Sequence, residues 1–282
     1  MSGAKPRSKE VHAPVERRAQ EKLGAPLEHV NVSQAQSEST RFLTSFLAGS
    51  GTSWVVFLRH ITLAAITAAL VFGFWSTRME WTADMRLWRA IGDAAIVLLF
   101  AALALGPAAK LSARMGKALP WRRPLGIWAA LAALTHSVLI IDGWAQWSVQ
   151  RFLGFEFVPQ LGREARLEPG FGLANLIGLV AAIWMIVLLA TSSDRAVQFL
   201  GSTSWKWVQS GAYVVFYLSV LHSGYFLFLH YTASFHRAVP DPNWFRYPLL
   251  ALGTIVLVLQ WWALTHTVRQ HRSRRASAAI LN

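Results

Sequence analysis

Two histidines stand in apolar surroundings where an imidazole is costly: His136, in RRPLGIWAALAALTHSVLI, and His222, in SWKWVQSGAYVVFYLSVLHSGYFLFLH. A polar ring inside a membrane-length apolar run is retained where it binds something or hydrogen-bonds a neighbouring helix. His136 lies about 11 residues past Leu125 and His222 about 15 past Trp207, which at 1.5 Å per residue puts the rings roughly 17 and 22 Å along their helices. If both helices start from the same side, the two imidazoles share a depth. Two neutral imidazoles at one level on two helices supply the axial ligation that a low-spin b-type heme takes. The other chemistry open to them is a hydrogen bond across to the next helix.

The remaining titratable groups offer less. His60, His230 and His266 lie in or beside apolar runs, while His12, His29, His236 and His271 fall in tails or a loop, where surface roles are the default. Asp93 reads as an isolated acid near the start of the second apolar run, and Asp142 and Asp194 sit at run ends. No carboxylate pair or histidine–carboxylate constellation appears at membrane depth, which disfavours a proton pump or a hydrolase. Cysteine is absent, excluding disulfides, thiolate catalysis, iron–sulfur clusters and c-type heme attachment. There is also no Gly-rich dinucleotide loop, no Walker loop and no room for a nicotinamide or flavin domain. Redox equivalents must arrive from another molecule.

The elements that must position these residues are apolar helices. Hydrophobic residues make up 54% of the 282, too many for a soluble chain of this size unless they come in blocks. They do: six runs near Trp54–Trp75, Ile91–Leu111, Leu125–Trp147, Phe171–Thr191, Trp207–His230 and Phe245–His266 each approach the ~20 residues that cross a bilayer. Tryptophans cluster near their ends, as an interfacial belt requires. The fold class is therefore all-α, an integral membrane bundle of six transmembrane helices (51–268), with a polar, disordered N-terminal tail over 1–50 and a basic tail over 269–282. The net charge of +13 would suggest nucleic acid in a soluble protein. Here the basic residues sit between apolar runs, where they orient a membrane protein. Lys110, Arg114, Lys117, Arg122 and Arg123 have no acid among them, so that loop belongs on the cytoplasmic side, and six spans then put both termini inside. No internal repeat stands out. The partners expected from composition are membrane lipid and no nucleic acid.

Several stretches together resemble the ferric-reductase-like transmembrane domain family. They are Gly92–Leu111 with its Gly106-Pro107, then Arg122-Arg123-Pro124-Leu125-Gly126-Ile127-Trp128 leading to His136. They continue with Leu188–Ser193, the amphipathic link Asp194–Gly201, Trp205 and the aromatic run to His222. The likeness covers roughly residues 90–231, and within the family it is greatest to the heme-binding membrane subunits of bacterial methionine-sulfoxide reductase systems.

The resemblance implies a b-type cytochrome of the bacterial inner membrane that passes electrons to a periplasmic or membrane redox partner, for methionine-sulfoxide or metal reduction. It makes His136 and His222 the ligands of an outer heme b. For an inner heme it directs attention to Arg122, fourteen residues before His136, and Gln209, thirteen before His222, where the family pattern expects histidine. An amide is a poor iron ligand, so one heme is expected rather than two. Without the inner heme the gap from that side is about 20 Å. The alternatives are His60 or His266 as a replacement ligand, FMN or a quinone held by Arg122 and Gln209, or electron entry from the outer side. The donor implied is a flavin reductase or a quinol. A different class stays open beside this one: a heme-poor structural or assembly subunit of a larger membrane complex.

Overall fold

The computed structural model describes residues 32–166, 169–230 and 243–280. Two compact units are distinguished, Met1–Val55 and Val56–Asn282. The helix that carries the first span is recorded from Val32 and ends at Ser76. The rest of the expected N-terminal tail, residues 1–31, lies outside the described residues, as does His236. Everything that follows concerns the second unit.

Six helices among the described residues are long and apolar enough to cross a membrane: Trp54–Ser76, Ala83–Leu111, Leu119–Trp144, Gly170–Ala190, Ser202–Leu229 and Arg246–Arg274. The chain is thus a multi-pass, all-α membrane bundle. Span two starts at Ala83, earlier than the apolar window from Ile91 suggests, and the added turns carry Arg86 and Arg89. Both guanidinium groups find aromatic faces, Arg86 over Trp75 at 4.1 Å and Arg89 over Trp81 at 4.6 Å, so their charge is tolerated at the helix end.

Span two is the most buried of the six and forms the axis of the unit. Within lipid, apolar side chains gain nothing by leaving lipid for one another, so close packing of small residues decides the contacts. Ala90, Ala94, Ala129 and Ala130 are accordingly almost fully buried. Larger side chains fill the seam with spans five and six: Phe100 stacks on Phe216 at 4.9 Å, beside Leu98, Val215, Phe245 and Val256.

Span five is broken at Gly211, between helices Ser202–Ser210 and Ala212–Gly224. A Cβ there would stand 2.9 Å from the Trp184 ring, so the break lets span five lie directly against span four. The link before it is a short helix, Asp194–Leu200, capped by the Ser193 hydroxyl accepting from Ala196 N–H at 3.1 Å. Arg123 bonds Asp194 at 2.7 Å, which places this link and the basic Lys110–Arg123 loop at the same end of the bundle.

At the other end the long connection after span three holds a two-stranded antiparallel hairpin, β1 (Phe155–Val158) and β2 (Arg163–Arg166), with Phe155 opposite Arg166. Asn175 of span four ties this connection down by donating to the Phe152 carbonyl at 2.8 Å. Spans three and five both change to wider π-type turns, Ile140–Trp144 and Tyr225–Leu229, soon after their histidines. Such segments are frequent at functional sites.

Candidate functional site

His136 and His222 line one cavity of about 430 Å³ at the end of the bundle away from the basic loop. That size falls within the ~300–1,000 Å³ typical of cofactor and ligand sites. The walls come from spans two to five and are mostly apolar, with Trp144, Phe171, Phe226 and Met185 among them.

Each imidazole is held the same way. His136 Nδ1 lies 2.8 Å from the Trp88 carbonyl of span two, and His222 Nδ1 lies 2.8 Å from the Ala174 carbonyl of span four. A carbonyl oxygen can only accept, so in both rings Nδ1 carries the proton and Nε2 keeps its lone pair. One helical turn beyond each carbonyl is a glycine that the ring covers. A Cβ on Gly92 would stand 3.0 Å from His136 Nδ1, and one on Gly178 would stand 2.6 Å from His222 Nδ1. Trp88, Gly92 and His136 therefore recur at identical spacing as Ala174, Gly178 and His222. The same three-residue contact thus occurs between spans two and three and between spans four and five, in a chain whose sequence reads as having no repeat.

Around the rings the cavity is asymmetric. On one flank Phe171 packs against Trp144 at 4.9 Å and Phe226 at 5.2 Å, and His230 joins them at 5.5 Å from Phe171. His230 thus lines the same cavity as His222. On the other flank are Arg89, Asp93 and Asn243. Asp93 is not the isolated acid that the sequence suggests: it pairs with Arg78, which is 1% exposed and also donates to Asn243 Oδ1 at 3.2 Å. A buried carboxylate and a buried guanidinium are acceptable together where neither is alone.

The other two candidate residues are not brought together. Arg122 lines a second cleft at the basic end, with Gly106, Lys110 and Gln260. Gln209 lines neither cavity; its amide donates to Thr191 Oγ1 at 2.8 Å and to the Leu188 carbonyl at 3.3 Å. His60 and His266 line neither cavity either. Among the described residues no group of three or more His, Cys, Asp or Glu is placed to hold a bare metal ion.

Asn243 and Arg78 gave no signal in sequence, because their partners lie 165 and 15 residues away. His230 had a signal, its place two turns beyond His222, yet on an ideal helix that step rotates it about 80° off the His222 face. The π-type turn at Tyr225–Leu229 intervenes between the two residues.

Known proteins similar to this chain cover much of the bundle. Residues 91–220 match a family described as the ferric reductase like transmembrane component. The chain is also 24% identical over 213 residues, 76% of its own length and 85% of the relative's, to the protein-methionine-sulfoxide reductase heme-binding subunit MsrQ of Polaromonas naphthalenivorans (strain CJ2). The matched stretch contains spans three and four and most of spans two and five, together with the Gly92–His136 contact. Over residues 91–220 the transmembrane core of this chain is therefore similar to the ferric reductase like transmembrane component.

Proposed function

We propose that this protein is the membrane b-type cytochrome subunit of an oxidoreductase system, passing electrons through one heme held by His136 and His222. The observation that carries the reading is the repeated clamp: two imidazoles on one cavity, each fixed in the Nδ1–H tautomer by a carbonyl of the adjacent helix. Hydrogen bonding of Nδ1 to a backbone carbonyl is the outer-shell support that orients ligating histidines and raises their basicity.

The residues present fit a flat, apolar macrocycle. Gly92 and Gly178 remove the side chains that would push the rings out, and Trp144, Phe171 and Phe226 supply apolar wall. Bound heme supplies one-electron chemistry and needs nothing further from the protein than ligation, exclusion of water and a path to partners. His136 and His222 would hold the iron, while Arg89 gives the cavity a cation suited to a carboxylate side arm. At the basic end Arg122 shares its cleft with one further cation, Lys110, and no imidazole, and Gln209 is already engaged with Thr191, so a second heme is not supported.

The chain would sit in a bacterial inner membrane with both termini cytoplasmic, as the basic loop and the even number of spans favour. Its donor would be a flavin reductase with FMN or a quinol, and its acceptor a periplasmic or membrane redox protein. The likeness to a methionine-sulfoxide reductase heme-binding subunit supports repair of oxidised methionine as the end use. The test is a dithionite-reduced spectrum of the purified protein with a pyridine hemochrome assay. One heme per chain, lost in His136→Ala and in His222→Ala, is expected; a colourless wild type would leave the heme-poor structural subunit as the better reading.

A further inference from the structure

We propose that the cleft at the basic end of the bundle is a binding site for the phosphodiester head of an anionic phospholipid. The cleft has a volume of about 630 Å³ and lies where the end of span two, the start of span three, span five and the far part of span six converge. Its polar lining is Lys110, Arg122, Tyr213, Tyr217, Gln260 and Thr267. No carboxylate and no histidine is among the lining residues. The cleft therefore presents two cations and several N–H and O–H donors, and calls for an anion with several acceptor oxygens.

Two further observations point the same way. Gln260 Nε2 is buried without a hydrogen-bond partner among the described residues, a costly state for an amide that a phosphate oxygen would relieve. Arg122 and Lys110 have no ion-pair partner among the described residues, although the adjacent Arg123 takes Asp194. The guanidinium of Arg122 lies along Gly106, whose added Cβ would be 3.6 Å from Arg122 Nη1, so span two backs the arginine without blocking it.

The chemistry selects among ligands. Oxidation of a quinol at this position would release protons, and the lining offers neither a carboxylate nor an imidazole to take them. A free phosphate needs no apolar surroundings, yet Pro107, Leu119, Ala263 and Leu264 complete the wall. Leu119, Leu264 and Tyr217 are at least 43% exposed on the lipid-facing surface. An acyl chain beside the head group would cover them. Basic pockets between spans on the positive side are a recurring site for anionic head groups.

The experiment is native mass spectrometry of the full-length protein released from nanodiscs of mixed phosphatidylglycerol and phosphatidylcholine. Wild type is expected to retain phosphatidylglycerol in preference to phosphatidylcholine. The Lys110→Gln/Arg122→Gln double variant should lose roughly tenfold or more of that retention. Gln260→Leu should lose less, and Arg123→Gln, which removes a charge outside the cleft, should retain lipid as wild type does. Size-exclusion elution and far-UV circular dichroism establish that each variant is folded. Equal retention by wild type and the double variant would overturn the proposal. So would displacement of the lipid by millimolar inorganic phosphate or FMN, which would assign the cleft to a soluble phosphate, or retention of phosphatidylcholine to the same extent.

Discussion

His222 donates its Nδ1 proton to the Ala174 carbonyl at 2.8 Å, while its ring closes over Gly178 one turn further along the same helix. The carbonyl fixes which nitrogen is protonated, and the glycine fixes how near the ring can come. Neither partner is a titratable residue, so the orientation of the ring depends on backbone and on the lack of a side chain. His136 repeats the relationship with Trp88 and Gly92.

The glycines should therefore be as selective as the histidines. A methyl group at Gly178 would stand 2.6 Å from Nδ1 of His222, where something must move, whereas at Gly92 the corresponding distance is 3.0 Å. Overpacking of this kind costs typically 1–3 kcal/mol. Gly178→Ala should lower heme occupancy or shift the midpoint potential more than Gly92→Ala does. A redox titration of both variants checks the order, and the reverse order would count against the clamp.

His230 supplies an internal control. It shares the cavity with His222 but packs against Phe226 and Phe171. His230→Ala should keep the reduced α band that His222→Ala abolishes, with at most a shift in potential. Loss of the band in His230→Ala alone would move the ligand assignment by two turns.

The Arg78–Asp93 pair should matter for stability in an asymmetric way. Arg78→Leu leaves a buried carboxylate unpaired, and breaking a buried pair from one side costs ~3–5 kcal/mol. The double variant Arg78→Leu/Asp93→Leu should recover part of that loss. Unfolding in mixed detergent, followed by tryptophan fluorescence, measures both, and additivity of the two single changes would refute the coupling.

Placing an imidazole at position 209 should not create a second heme. Gln209 faces Thr191 and the Leu188 carbonyl, and Arg122 is turned into a separate cleft. A pyridine hemochrome assay on Gln209→His is expected to return one heme per chain, as in wild type. Two hemes would mean that the inner level of the bundle reorganises.

Much of this was legible in the residue order, because bilayer thickness sets a length that six apolar runs meet and a 1.5 Å rise converts position into depth. The same conversion places His136 and His222 at a common depth. What sequence left out depends on partners that carry no side-chain signal. The anchors of both histidines are backbone carbonyls, and their clearance is the missing side chain of a glycine. The recurrence of the clamp carries no sequence signal for the same reason, since only Gly and His recur in it. Asp93 looked solitary because Arg78 lies outside the apolar window that defined span two. The hairpin Phe155–Arg166 did have a signal, the alternation of FEFV before a turn, but its charges read as loop.

The chain order of the two clamps bears on biogenesis. Each histidine is anchored by a carbonyl that precedes it by 48 residues, so the anchor is synthesised before its ring. The first clamp can be completed by spans two and three alone. The second waits for span five, and until then His136 faces an open wall. On the proposed ligation, cofactor capture would wait for the insertion of span five, and a ribosome-bound chain stalled between spans four and five would present half a grip.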